Sequence, residues 1–168
     1  TVMKLTKNIN LLTKKEFLSI FGNVFEKSDW IADKAFDLKP FENSKDFVIK
    51  MMNIYENSSN EKIINIFNLH PKLAIEKKLT TFSSKEQAGA KLNTCTKEEL
   101  EEFQKLNSDY QKKFGFPFLI AVKGKNKDEI LNNFRQRIKN SSEIEFDEAK
   151  IQVKKIALIR LEEILKIN

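Results

Sequence analysis

At 168 residues the chain fits one domain, 1–168, long enough to bury roughly 70% of the surface its unfolded form exposes. It is 40% hydrophobic and 32% charged; with no apolar run near the ~18 residues of a membrane span, it reads as a soluble globular protein with no membrane partner. The net charge of +6 comes from lysines interleaved with acids, a solvated surface rather than a nucleic-acid site, and one Cys with one His excludes an internal disulfide and the usual nitrogen and sulfur zinc site.

In chain order, the first helix signal is Thr13 followed three residues later by Glu16, a capping-box spacing ahead of an apolar helical pattern. "SDWIADKAF", "SKDFVIKMMNIYE" and "NEKIINIFNLH" follow with helical periodicity. The last ends at His70, because a residue before proline is pushed out of the right-handed helical region and Pro71 comes next. Ser83 with Glu86 and Thr96 with Glu99 repeat the capping spacing, "NKDEILNNFRQRIKN" is a further helix, and Ser142 with Glu145 opens the last one. No alternating strand pattern appears, so the expected fold class is all-α, a bundle of about eight helices.

"FGFPFLIAV", Phe114 to Val122, is the one apolar run outside a helical period. Gly115 is placed to end the preceding helix and Pro117 blocks its continuation. The run is too apolar to leave in water, so its backbone polar groups need partners in the interior and it is a candidate ligand-facing wall.

Two helices carry polar residues where their periodicity predicts core, and a third polar residue stands at a helix end. Arg160 shares a stripe with Val153, Ile156 and Ile164; a buried guanidinium needs an anion, either a protein carboxylate or a ligand. Asn107 lies in the stripe Leu100, Phe103, Tyr110, Phe114, as a helix-to-loop anchor or a ligand contact. His70, the only histidine, either stabilises a helix C-terminus as its cation or transfers a proton. "SSKEQ" is a capping box by spacing, and Gly89 with Ala90 suggests a helix that something approaches closely, a neighbouring helix or an anion at its N-terminus. No CxxC, HExxH, GxGxxG or P-loop is present, nor EF-hand spacing of acids. From the residues alone the chain is an all-helical domain with a candidate anion site and one proton-transfer candidate.

The blocks "FGNVFEKSDWIADKAF", "HPKLA", "LTTFSSKEQAGA", "LNSDYQKKFGFPFLIAVKG" and "KIALIRLEEI" resemble, in order and spacing, the 2-oxo-4-hydroxy-4-carboxy-5-ureidoimidazoline (OHCU) decarboxylase family. The resemblance spans nearly the whole chain, and Asn107 to Phe118 is its most specific piece. It implies an all-α homodimer that makes S-allantoin from OHCU in urate breakdown without a cofactor or metal. His70, Glu86 and Arg160 are the implied catalytic residues. Pro71, Ser83, Ser84, Lys85 and Gln87, with Phe118, Leu119, Ile120, Ala121 and Val122, are the implied substrate-binding ones.

The implied chemistry fits the residues. Loss of carbon dioxide leaves a carbanion that the substrate's own conjugated system delocalises, and an imidazole can deliver the proton. Glu86 would hold that imidazole or the substrate, and Arg160 would clamp substrate or Glu86. A non-catalytic ureide-binding member of the same fold is the alternative. Lys72 stands where relatives commonly carry an acid, and "NTCTKEEL" is an unusual connection. The chain ends Lys166, Ile167, Asn168 rather than in a peroxisomal tripeptide, so the cytoplasm is the expected compartment.

Overall fold

The computed structural model describes residues 8–74 and 79–166. Among them are eight α-helices, two 3-10 turns and no strand: α1 (Lys14–Phe21), α2 (Trp30–Phe36), α3 (Ser44–Glu56), α4 (Asn60–Leu69), α5 (Thr81–Gly89), α6 (Lys97–Phe114), α7 (Lys127–Arg137) and α8 (Ser142–Leu165). The all-α expectation therefore holds. None of these helices is long and apolar enough to cross a membrane.

The chain forms two compact units, residues 8–69 with 154–166, and His70–Val153. In the first, α1 packs on α2 and α2 on α3. Its core is aromatic: Phe17 meets Phe21, Phe36, Phe41 and Phe47 with ring centroids 4.9 to 6.5 Å apart. Phe25 stacks on Tyr55 at 4.9 Å. Such rings bury large apolar areas and lock one another's orientation. The loop before α3 is tied in by Asn10, whose amide donates to the Phe41 carbonyl at 2.8 Å and accepts from its N–H at 2.7 Å.

In the second unit α6 packs on α7. Thr96 and Glu99 form the reciprocal box expected at the start of α6, as Thr13 and Glu16 do at α1. Gly115 ends α6 at φ 81°, a left-handed conformation that glycine adopts without a Cβ penalty. The chain then runs without helix or strand through Phe116 to Val122, all buried. Phe118 lies flat on Phe134 of α7, with centroids 3.9 Å apart and planes 8° apart, and meets Tyr110 of α6 edge-on at 5.5 Å.

Two expected capping boxes are displaced. Helix α5 is capped by Thr80, whose hydroxyl accepts from Ser83 N–H at 3.3 Å. A cap hydroxyl satisfies the amide three residues on, so Thr80 takes the role assigned to Ser83 and moves Glu86 into the second turn. At α8 the hydroxyl of Ser141, not Ser142, accepts from Ile144 N–H at 3.3 Å. Glu145 is fully buried instead of folding back onto its own helix end. Nor is Gly89 closely approached: a Cβ built there meets nothing within 4 Å.

Candidate active site

His70 directly follows α4 and is buried, 7% exposed. The periodicity of α4 sets this position. Ile63, Ile66 and Phe67 pack inward, and Pro71 prevents a further turn, so the imidazole stands at the break. The segment beyond it is held by two amide side chains. Gln87 of α5 accepts from Ala74 N–H at 3.1 Å and donates to the Lys72 carbonyl at 3.3 Å. Asn107 of α6 donates to the Leu73 carbonyl at 3.1 Å. Ala74 sits at φ 66°, a left-handed conformation that an alanine holds only against a steric cost. Gln87 and Asn107 hold the N–H and the C=O of the peptide group that leads into Ala74, which fits that need, and Asn107 is the helix-to-loop anchor its stripe implied.

On α5, Ser83 and Gln87 are buried, Glu86 is half-buried, and Ser84 and Lys85 are exposed. The first three recur at spacings of three and one, so they share the inner side of a short helix while Ser84 and Lys85 face solvent. The structure thus brings Gln87 to the segment after His70, through that segment's backbone.

The wall Phe118 to Val122 is tethered on its polar atoms, as its burial requires. Arg137 Nη1 donates to the Leu119 carbonyl at 2.7 Å, and Gln152 of α8 accepts from Ala121 N–H at 2.9 Å. The Val122 carbonyl accepts from Lys125 N–H at 3.0 Å. The Arg137 guanidinium also lies 4.4 Å from the Phe118 ring centroid. Its Nε donates to Glu145 at 3.0 Å, and Glu145 accepts in addition from Tyr110 Oη at 2.6 Å and Asn140 Nδ2 at 3.0 Å. Burial, with the Glu145 carboxylate next in weight, pushes the Tyr110 hydroxyl far above its ordinary range, so it stays a donor.

Sequence spacing assigns no role to Arg137 or Gln152 and places Glu145 only in a capping box, yet for Arg137 and Glu145 a signal was present. Glu145, Ala149, Val153, Ile156 and Arg160 follow one another at spacings of four, four, three and four along α8. The stripe that marks Arg160 as inward therefore also contains Glu145. Ile130, Phe134 and Arg137 do the same on α7.

Arg160 belongs to the first unit and the other expected site residues to the second. It is 1% exposed. Its Nη1 donates to the Asn23 carbonyl at 2.9 Å and its Nη2 to Glu26 Oε2 at 2.8 Å, with Glu26 equally buried. Of the anions an inward arginine needs, a protein carboxylate is therefore present. Burial raises the Cys95 thiol above its ordinary value, so it is not an activated nucleophile. No cluster of three or more His, Cys, Asp or Glu suited to a metal occurs among the described residues.

A model of the family described as OHCU decarboxylase matches residues 10–162. The chain belongs to the OHCU decarboxylase family. It is similar to a 2-oxo-4-hydroxy-4-carboxy-5-ureidoimidazoline decarboxylase of Haloferax volcanii, with 35% identity over 94% of each chain. It is also similar to the uric acid degradation bifunctional protein of Bacillus sp. (strain TB-90), with 39% identity over 95% of this chain and 32% of that protein. Among solved structures it resembles one titled as the crystal structure of (S)-allantoin synthase, with TM-score 0.74, 27% identity, and coverage of 93% of this chain and 52% of that one. The OHCU decarboxylase-family chain thus spans nearly all of the Haloferax volcanii relative and about a third of the bifunctional one.

Proposed function

We propose that this chain decarboxylates OHCU to S-allantoin, with His70 as the proton donor. The observation that carries the reading is a lone histidine, buried at a helix break, whose following segment is pinned through its backbone by Gln87 and Asn107 in a chain of this family.

The bond between the ring carbon and the carboxylate breaks, carbon dioxide leaves, and the electron pair is taken up by the conjugated C=N and C=O groups of the substrate itself. Protonated His70 then gives its proton to one face of that carbon and is left neutral. Proton delivery from one side sets the product's hand. Glu86, half-buried on α5, holds the imidazole or the substrate's hydroxyl or ureido group. Pro71 fixes the chain direction at His70; Ser83 and Gln87 face substrate with Glu86 from the inner side of α5, and Ser84 and Lys85 belong to the same substrate-binding segment on its exposed side. Phe118, Leu119, Ile120, Ala121 and Val122 supply a surface that excludes water and offers backbone polar groups. Arg160 contributes a fixed positive charge while holding Glu26. In this reading residues 1–168 work as one domain in a cytoplasmic homodimer, whose state light scattering measures.

The test supplies purified protein to freshly generated OHCU and follows the chirality of allantoin by circular dichroism. Rapid appearance of the S enantiomer is expected; racemic product at the uncatalysed rate overturns the reading. His70→Asn should lower turnover by at least ~100-fold with helical content unchanged. A variant of full activity removes His70 as the donor, and binding without turnover by the unaltered protein assigns a ureide-binding role instead.

A further inference from the structure

Two backbone atoms of the buried wall are held by side chains from different helices, the Leu119 carbonyl by Arg137 of α7 and the Ala121 N–H by Gln152 of α8. These atoms belong to the two peptide groups that flank Ile120. A trans peptide is planar, with its C=O and N–H pointing in opposite directions. Aiming the Leu119 carbonyl at Arg137 therefore turns the Ile120 N–H the other way. Aiming the Ala121 N–H at Gln152 likewise turns the Ile120 carbonyl away from Gln152. Neither polar atom of Ile120 makes a hydrogen bond to the described residues.

The tethers are themselves braced. Arg137 is 8% exposed and is fixed by Glu145, which is held in turn by Tyr110 and Asn140. Gln152, also 8% exposed, donates from Nε2 to Glu148 Oε1 at 2.8 Å, which fixes which end of its amide meets Ala121. Rotating either peptide group would leave a buried guanidinium or amide without its acceptor or donor, so the register is stiff.

We propose that Arg137 and Gln152 are positioning residues that present the N–H and C=O of Ile120 as an adjacent donor and acceptor for a ureide or lactam edge of the substrate. This rests on the decarboxylase reading above. A planar ureide carries the complementary acceptor and donor on neighbouring atoms, so two fixed backbone groups select for it and set its orientation.

The experiment measures kcat and KM separately for OHCU turnover in three variants. Gln152→Leu removes the acceptor for Ala121, and Arg137→Lys keeps a charge for Glu145 but not the fork that also reaches Leu119. The exchange Glu148→Gln with Gln152→Glu rebuilds both bonds with the roles reversed. For the first two, kcat/KM should fall by up to ~100-fold, chiefly through KM, with the pH profile of kcat unmoved; the exchange should restore KM. A merely structural role would lower the active fraction, hence apparent kcat, and leave KM alone, which overturns the proposal, as does an exchange that fails to rescue. If Gln152→Leu does not fold, Arg137→Lys carries the test alone, since it gives up the bond to the Leu119 carbonyl; a raised KM supports the proposal and an unchanged one overturns it. An inactive unaltered protein overturns the decarboxylase reading and this proposal with it, whereas an active one with KM unmoved in the variants overturns only the positioning role.

Discussion

The guanidinium of Arg160 and that of Arg137 are both buried against a carboxylate and a backbone carbonyl, yet their surroundings differ. Arg160 grips a turn: besides Glu26 it binds the Asn23 carbonyl, and the Val24 carbonyl lies 3.5 Å from Nη1. Arg137 is one member of a larger set, in which Glu145 receives bonds from a phenol, an amide and the guanidinium together. In the first pair the arginine distributes bonds to the backbone; in the second the carboxylate collects them from side chains. Burying a charge is costly unless its bonds are complete, so the residue collecting more partners is the one whose loss strands more polar groups.

That difference can be broken by removing the carboxylates. Glu145→Ala should destabilise the protein by roughly 3–5 kcal/mol in urea titration, because it strands the Arg137 charge and leaves Tyr110 and Asn140 without an acceptor. Glu26→Ala falls toward the lower end of that range, since backbone carbonyls still receive Arg160. The reverse order would overturn the contrast. Next in size, Arg160→Lys should cost about 2 kcal/mol by giving up the fork that reaches Glu26 and Asn23 at once, read as a lowered urea midpoint with an unchanged slope. Tyr110→Phe removes one donor from Glu145 and leaves Arg137 and Asn140 in place, for a loss of ~1.5 kcal/mol in the same titration. A neutral result would show that the phenol adds nothing to the set.

The smallest effect sharpens the comparison from outside. Arg135, two residues before Arg137, is exposed and pairs with Glu102. That hydrogen bond holds the Glu102 carboxyl below its ordinary 4.5. A carboxyl whose folded value is depressed contributes stability above its unfolded value and loses it as pH falls through the folded one. Glu102→Gln should therefore lower stability at neutral pH by a small amount, less than Tyr110→Phe does because the pair is solvent-screened. It should also flatten the acid limb of the stability curve below about pH 4.5, where the unaltered protein loses that same contribution. A shift at pH 7 as large as that of Tyr110→Phe would contradict the contrast between exposed and buried pairs.

Much of this was legible from periodicity. Arg160 and Asn107 fall on apolar stripes, and both are buried on the partner types that burial demands. The end of α4 at His70 followed from Pro71 alone. What spacing could not resolve is which of several hydroxyls caps a helix. Thr80 and Ser83 both precede the pattern of α5, and Ser141 and Ser142 both precede α8; only the entering chain direction chooses between them. A Ser-x-x-Glu spacing also does not say whether the acid turns back to its own amides or inward. For Glu145 the answer came from a residue 35 positions away, Tyr110, whose place no local pattern gives.

The amide of Gln87 meets the chain after His70 as another peptide group would, accepting from the N–H of Ala74 and giving to the carbonyl of Lys72. Recognition of this kind reads main-chain atoms, which every residue but proline carries alike. The hold that Gln87 has on this segment therefore does not depend on which side chain stands at position 72, since it is taken on that residue's carbonyl.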